Sequence, residues 1–359
     1  MIRAIHRGHS GGGVAVMTPT VKLLALTFVG VFMEITYCTW ALVHSGALWV
    51  VPLILGAYHG GYLLARLTVL EKCDGHTRLL LVMSTLTLAF GTYVASWSTI
   101  AVSMLLFSAS LQVLRRALKG QAPVSSWQKN VTKALAMVSG AAGALAPPWL
   151  PVLVALTAGA LAVVGHGVSG EPLRSPRHAD APVQQHLLWF ELLHHAHYFA
   201  YCYTFWALLD KALIPFVGPL FLSGWLGYFV LERWLRESSQ RYSTTLLALG
   251  HVVCAAALGG MLVLRSAPAI LALWLVTGIG GGTAYMLGNT PNGGDRELYE
   301  DLGHIIGCFG AALVIVITGE GEAAIVLGMV LAHGATLTLA VRSPHFADLR
   351  ERRYEDPGD

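Results

Sequence analysis

Twelve stretches of predominantly apolar residues, each long enough to cross a bilayer, constrain this chain more than any other feature. A spanning helix needs about 20 such residues. From Lys22 onward they run at 22–43, 46–66, 78–95, 97–116, 131–148, 149–166, 187–208, 212–234, 242–264, 267–288, 303–319 and 322–341. A large soluble core is excluded by charge: 12% of the 359 residues are charged and 55% hydrophobic, against about 25% charged in soluble domains. In lipid every backbone N–H and C=O must be satisfied within the chain, which leaves helices or a closed barrel. Runs of this length select helices. The expected fold class is an all-α integral membrane protein of about 12 transmembrane helices.

Orientation follows from the basic residues, which accumulate in cytoplasmic loops. With the N-terminus inside, the outward-facing turns carry only Lys211 and Arg265 of the 23 Lys and Arg residues. Both termini are therefore expected in the cytoplasm. Residues 1–21 read as a cytoplasmic leader, because no small-residue cleavage site follows the first apolar run. The formal net charge of +3 is dispersed, which excludes a nucleic-acid-binding surface. The five cysteines are scattered singly and read as small buried hydrophobes. Ala-, Gly-, Leu- and Arg-rich usage points to a bacterial cytoplasmic (inner) membrane.

The chain also repeats itself. At an offset of 166 residues Tyr37 matches Tyr203, Trp40-Ala41-Leu42 matches Trp206-Ala207-Leu208, and Gly61-Tyr62 matches Gly227-Tyr228. At 167 residues Gly140, Gly143 and Ala144 match Gly307, Gly310 and Ala311. Such register over this distance is the mark of a duplication. Six spans is an even number, so the halves are parallel repeats about an axis along the membrane normal. The expected organisation is a six-helix bundle over 22–167, a Pro- and Arg-containing cytoplasmic linker over 168–185, a second six-helix bundle over 186–341, and a charged cytoplasmic tail over 342–359.

These features resemble the major facilitator superfamily, whose members pack two pseudo-symmetric six-helix bundles around a central cavity. Gly61-Tyr62-Leu63-Leu64-Ala65-Arg66 resembles the family signature after the second helix, but Ala65 stands where the family has Asp. The usual cytoplasmic charge relay thus lacks a carboxylate at its expected place. Arg116-x-x-x-Gly120 resembles the Arg-centred motif of the fourth span, and Gly140-x-x-Gly143-x-x-x-Pro147 the glycine-and-proline motif of antiporters. The resemblance implies alternating access and makes Gly61, Arg66 and Arg116 candidate gating residues.

Two spans carry candidate chemistry. Glu34 lies near the middle of the first, on a face with Thr27, Gly30, Tyr37, Cys38 and Ala41. A carboxylate at that depth is costly unless it is protonated or paired, which suits a proton carrier; a hydrogen-bonded structural Glu is the alternative. The seventh span contains Glu191-Leu192-Leu193-His194-His195-Ala196-His197-Tyr198-Phe199-Ala200-Tyr201. On a helical wheel Glu191, His194, His195, His197, Tyr198 and Tyr201 share about half the circumference, and that side is expected to line a cavity opposite Glu34. Three readings stay open for the histidines: a polar lining for an organic substrate, buried structural groups, or a transition-metal site using Glu191, His194 and His197. His59, His251 and His333 also fall within spans. Trp40 and Trp206 sit where interfacial aromatics collect. Gly278-Ile279-Gly280-Gly281-Gly282 has no preceding strand and reads as close helix packing. Asn289 to Asp301 reads as a polar cytoplasmic loop.

The functional expectation is a secondary transporter that moves a small organic molecule by alternating access, with proton-coupled efflux as the leading direction. Glu34 is the proton carrier, and Tyr37, His59, Glu191, His194, His197, Tyr198 and Tyr201 line the substrate cavity. The partners are bilayer lipid and a small-molecule substrate, the chain is a monomer, and the proton is the coupling ion, with no cofactor. Alternatives are a membrane-embedded metalloenzyme or metal-ion transporter using the seventh-span Glu and His residues, and a receptor or assembly subunit on a transporter-like fold.

Overall fold

The computed structural model describes residues 18–67, 74–119, 123–145, 149–150, 153–154, 156–157, 185–204, 208, 217–237, 244–284 and 293–340. Among these residues there are 11 helices and no strand: α1 (Pro19–His44), α2 (Val50–Leu67), α3 (Asp74–Tyr93), α4 (Trp97–Lys119), α5 (Ser126–Leu145), α6 (Gln185–Tyr201), α7 (Val217–Glu237), α8 (Thr244–Val263), α9 (Ala267–Gly282), α10 (Gly293–Thr318) and α11 (Glu322–Ala340). Six of them are individually long and apolar enough to cross a membrane. Each expected span has its helix except 149–166, most of which lies outside the described residues, as do the linker at 168–184, the tail and Trp206.

Local sequence sets the ends. Thr18 caps α1 by accepting from the Val21 amide at 3.4 Å, with Pro19 in the first turn, where its missing N–H loses nothing. Gly46 and Gly319 take positive φ (+66° and +76°) in the turns after α1 and α10, a conformation open to glycine without penalty. Two ends depart from the sequence reading. The seventh span stops being helical at Tyr201, and Cys202 to Thr204 form turns. Conversely, α10 begins at Gly293, so much of the expected polar loop is helix.

α1 to α5 pack with one another, as do α6 to α11. Between the two groups, α2 meets α10 and α5 meets α7. The duplication offset carries α2 onto α7 and α5 onto α10, so these two seams are exchanged by the repeat. Matched glycines do matched work. A Cβ on Gly61 would run into Ser108 and the Leu105 carbonyl of α4, and one on Gly227 would lie 2.7 Å from the Leu275 carbonyl of α9. Gly140 would lie 2.9 Å from the Phe32 carbonyl of α1, and Gly307 would strike the Ala196 carbonyl of α6. Gly278 and Gly280 press in the same way on the Gly224 and Gly250 carbonyls. Small residues let backbones approach in lipid, where apolar burial between helices gives little drive. Leu79, Met83, Leu86 and Phe90 form an exposed apolar stripe on α3, the face a bilayer solvates. Trp40, expected at the interface, is buried at 5% exposure beside His44.

Candidate functional site between the two halves

Midway along α1, Glu34 projects toward the other half. Its Oε1 accepts from the Tyr203 hydroxyl at 3.2 Å, just beyond α6, and lies 3.9 Å from His59 Nε2 on α2. His59 is buried, and neither ring nitrogen has a hydrogen bond of normal length. Its ring packs 4.5 Å from both Phe199 of α6 and His304 of α10, centroid to centroid. His304 Nε2 meets His195 Nδ1 at 2.9 Å. His195 Nε2 lies 3.5 Å from Glu191 Oε1, which also accepts from Arg296 Nε at 2.8 Å. Tyr203, Glu34, His59, His304, His195, Glu191 and Arg296 thus form one continuous row of polar groups, drawn from both halves and running from mid-span toward the end expected to face the cytoplasm. The donor atoms of His195, Glu300 and His304 also lie within 4.8 Å of one another.

At that end the seam is tied by charge. Arg66, in the last turn of α2, donates to Asp301 Oδ2 from Nε at 2.9 Å and to Glu297 Oε2 from NH1 at 2.9 Å, both on α10. The Asp301 side chain is 9% exposed and that of Glu297 51%, so the Asp301 contact carries most of the energy. A carboxylate absent at position 65 is supplied by the opposite half.

The seventh-span polar face does not line one cavity. Helix α6 is enclosed by protein on two sides, and its polar residues divide between them. Glu191 and His195 turn toward α10. His194 and His197 turn into the second bundle against His251 of α8, where His194 Nδ1 meets His251 Nε2 at 2.9 Å. Tyr198 and Tyr201 pack on Trp274 of α9. Glu34 consequently faces Tyr203 and His59 in place of the expected His194 and His197. Of the expected Glu191, His194 and His197 group, His194 and His197 come together with His251, while Glu191 Oε1 meets Arg296 and His195. Tyr37 is buried within the first bundle, its hydroxyl on Thr92 of α3 at 3.1 Å. Gly61 is an α2–α4 packing residue, and Arg116 is half-buried near the end of α4, where its neighbour Arg115 reaches Tyr62. His333 is on α11 and bonds the Met329 carbonyl.

His304, Tyr203, Arg296 and Asp301 were not singled out by sequence. The available signal was the spacing of Arg296, Asp301 and His304, which recur along one side of a helix; reading 289–301 as a loop hid it.

By sequence the chain matches no protein-family model and no curated protein. By structure it is similar to a point mutant of the nucleoside transporter NupG (TM-score 0.61, 10% identity, covering 90% of this chain and 99% of that one). It is also similar to a bacterial metal transporter (0.60, 14%, 91% and 100%), and to the major facilitator transporter FucP in its outward conformation (0.51, 14%, 91% and 99%). Identities this low are likenesses of architecture, and the architecture is unambiguous: this is an all-helical, multi-pass membrane protein with the major facilitator fold.

Proposed function

We propose that the chain is a secondary transporter that carries a small organic molecule across a bacterial cytoplasmic membrane, both termini inside, by rocking 22–167 against 186–341 about the linker at 168–185. The observation that carries this reading is Glu34: a carboxyl at mid-span, bonded across the seam to Tyr203 and beside His59. A group so placed changes partners whenever the halves move, so its protonation and the conformation are coupled by differential contacts. The row from His59 through His304 to His195 lies between Glu34 and the end expected to face the cytoplasm, and a proton passes along it when the His59 ring, hydrogen-bonded to neither neighbour in this arrangement, reorients. Substrate entering between the halves competes for Glu34, which makes proton-coupled efflux the favoured direction. Tyr203, His59, Tyr198 and Glu191 border the path, and Arg66 with Asp301 and Glu297 is its inner gate. Gly61 and Arg116 support that gate through the α2–α4 pair.

The test is proton release from purified, detergent-solubilised protein on adding candidate organic cations, with wild type and Glu34→Gln compared. Release in wild type that vanishes in the variant supports antiport. A second reading, transport of a metal ion, draws on the His195, Glu300 and His304 donors at the seam and on the likeness to the bacterial metal transporter. Metal uptake into proteoliposomes, lost in His304→Gln, together with no proton release by any organic cation, would replace the first reading with the second.

A further inference from the structure

Inside the second bundle, next to the seam row but turned away from it, three imidazoles form a triangle. The rings of His194 and His197 on α6 and His251 on α8 have centroid separations of 5.1, 5.2 and 5.4 Å. Each of the three residues is buried, at 4%, 1% and 0% exposure. One donor nitrogen from each lies within 4.8 Å of the other two. We propose that His194, His197 and His251 bind a late first-row transition-metal ion of the Zn2+ class as a resident structural site, separate from the transport path.

Three features point to a ligand here. First, His197 is buried and neither ring nitrogen makes a hydrogen bond of good geometry, its nearest polar neighbours being the backbone of Leu193 and His194 on its own helix. A buried imidazole so poorly partnered calls for an ion or an ordered water. Second, His251 Nδ1 donates to the Leu247 carbonyl at 2.8 Å. That bond fixes the tautomer, leaves the Nε2 lone pair directed at the triangle, and orients the ring as outer partners orient metal-bound imidazoles. Third, the ligand set is chemically uniform. Zn–N bonds of about 2.0–2.1 Å in tetrahedral geometry need nitrogens roughly 3.3 Å apart. His194 Nδ1 donates to His251 Nε2 at 2.9 Å in this arrangement; to take the ion, His194 shifts to its other tautomer, the two nitrogens part by a few tenths of an ångström, and rotation of the His197 ring brings in the third. All-imidazole donors suit Zn2+, Cu2+ or Ni2+ over Mg2+ or Ca2+.

The test uses the full chain, free of any affinity tag, purified in detergent and loaded with Zn2+ alone. The expected result is about one Zn2+ per chain, retained in His195→Gln and His304→Gln and reduced to background in His197→Gln and His251→Gln. X-ray absorption of the loaded wild type should show three nitrogen neighbours with imidazole scattering. That measurement decides the matter even if His197→Gln or His251→Gln does not fold. A wild type that binds no Zn2+, with water alone satisfying His197, overturns the proposal. So does binding that survives both His197→Gln and His251→Gln, or that is lost in His195→Gln and His304→Gln instead, which would place the ion at the seam. His304→Gln, whose ring meets His195 and His59 and not the triangle, is the control that separates failure of the transport reading from failure of this one; His195 itself packs 4.8 Å from His194.

Discussion

Two groups of histidines leave one helix about 100° apart, close enough that the His194 and His195 rings pack at 4.8 Å, yet their other surroundings differ in kind. His195 looks toward the seam and joins a row that contains Glu34, Glu191 and Arg296, drawn from both halves. His194 and His197 look into a single bundle and meet another imidazole, with no carboxylate in the triangle. Acid beside imidazole, shared between moving bodies, is suited to passing protons. Imidazole beside imidazole, inside one rigid body, is suited to holding a metal still. Adjacent residues in sequence are thus assigned to motion and to stability by about 100° of helical rotation.

Breaking the seam should have the larger functional effect. Glu34→Gln is expected to abolish substrate-dependent proton release, and His197→Gln to leave it intact; release lost equally in both would erase the distinction. Next in size is Asp301→Asn, which removes the buried partner of Arg66. The bond is charge-assisted but partly solvated, so the closed inner gate should lose about 1.5–3 kcal/mol. Spin labels at Leu67 and Trp189, both exposed, should report a longer distance across the cytoplasmic end in that variant. No change in the distribution would show that Arg66 does not hold the gate. Overpacking the bundle interiors should sharpen the contrast from the other side. Gly61→Val and Gly227→Val are each expected to cost about 1–3 kcal/mol or more, Gly61→Val the larger because its Cβ meets Ser108 and two backbone atoms of α4 more closely than Gly227 meets α9, and thermal unfolding in detergent measures both. The smallest effect belongs to Glu297→Gln, whose half-exposed carboxylate is worth about 0–1 kcal/mol, read from the same label distances.

The fold was legible because its signals are local or periodic. Apolar runs mark helices, basic residues mark the inner turns, and glycines recurring at 166 and 167 residues mark helix pairs that touch backbone to backbone. Gly61 with Gly227 and Gly140 with Gly307 were visible as a repeat before their contacts were known. The site was only half legible. A helical wheel gives the angle at which His194, His195 and His197 leave the axis, yet it does not say what stands opposite. His251 and His304 lie on other helices, 57 and 109 residues from their partners, and no spacing rule reaches that far. The wide polar arc was read as one wet wall because a lipid-spanning helix must shelter its polar side. With protein on two sides, the same arc is sheltered twice. Glu34 was found because a carboxylate at mid-span is conspicuous in any surroundings; its partner Tyr203 was visible only as the repeat of Tyr37.

The two seams, exchanged by the repeat, are chemically unlike. Where α5 meets α7, Trp127 and Phe229 face each other with ring centroids 6.5 Å apart; where α2 meets α10, a guanidinium sits between two carboxylates. Parting the first separates two aromatic rings. Parting the second leaves one positive lip and one doubly negative lip, and dissolved ions must then screen them over a Debye length of about 8 Å at physiological ionic strength. If the halves part at this edge, as the proposed transport cycle requires, that step is assisted by salt. The repeat survives in the backbone, while dissolved electrolyte acts on the edge where Arg66 meets Asp301 and Glu297.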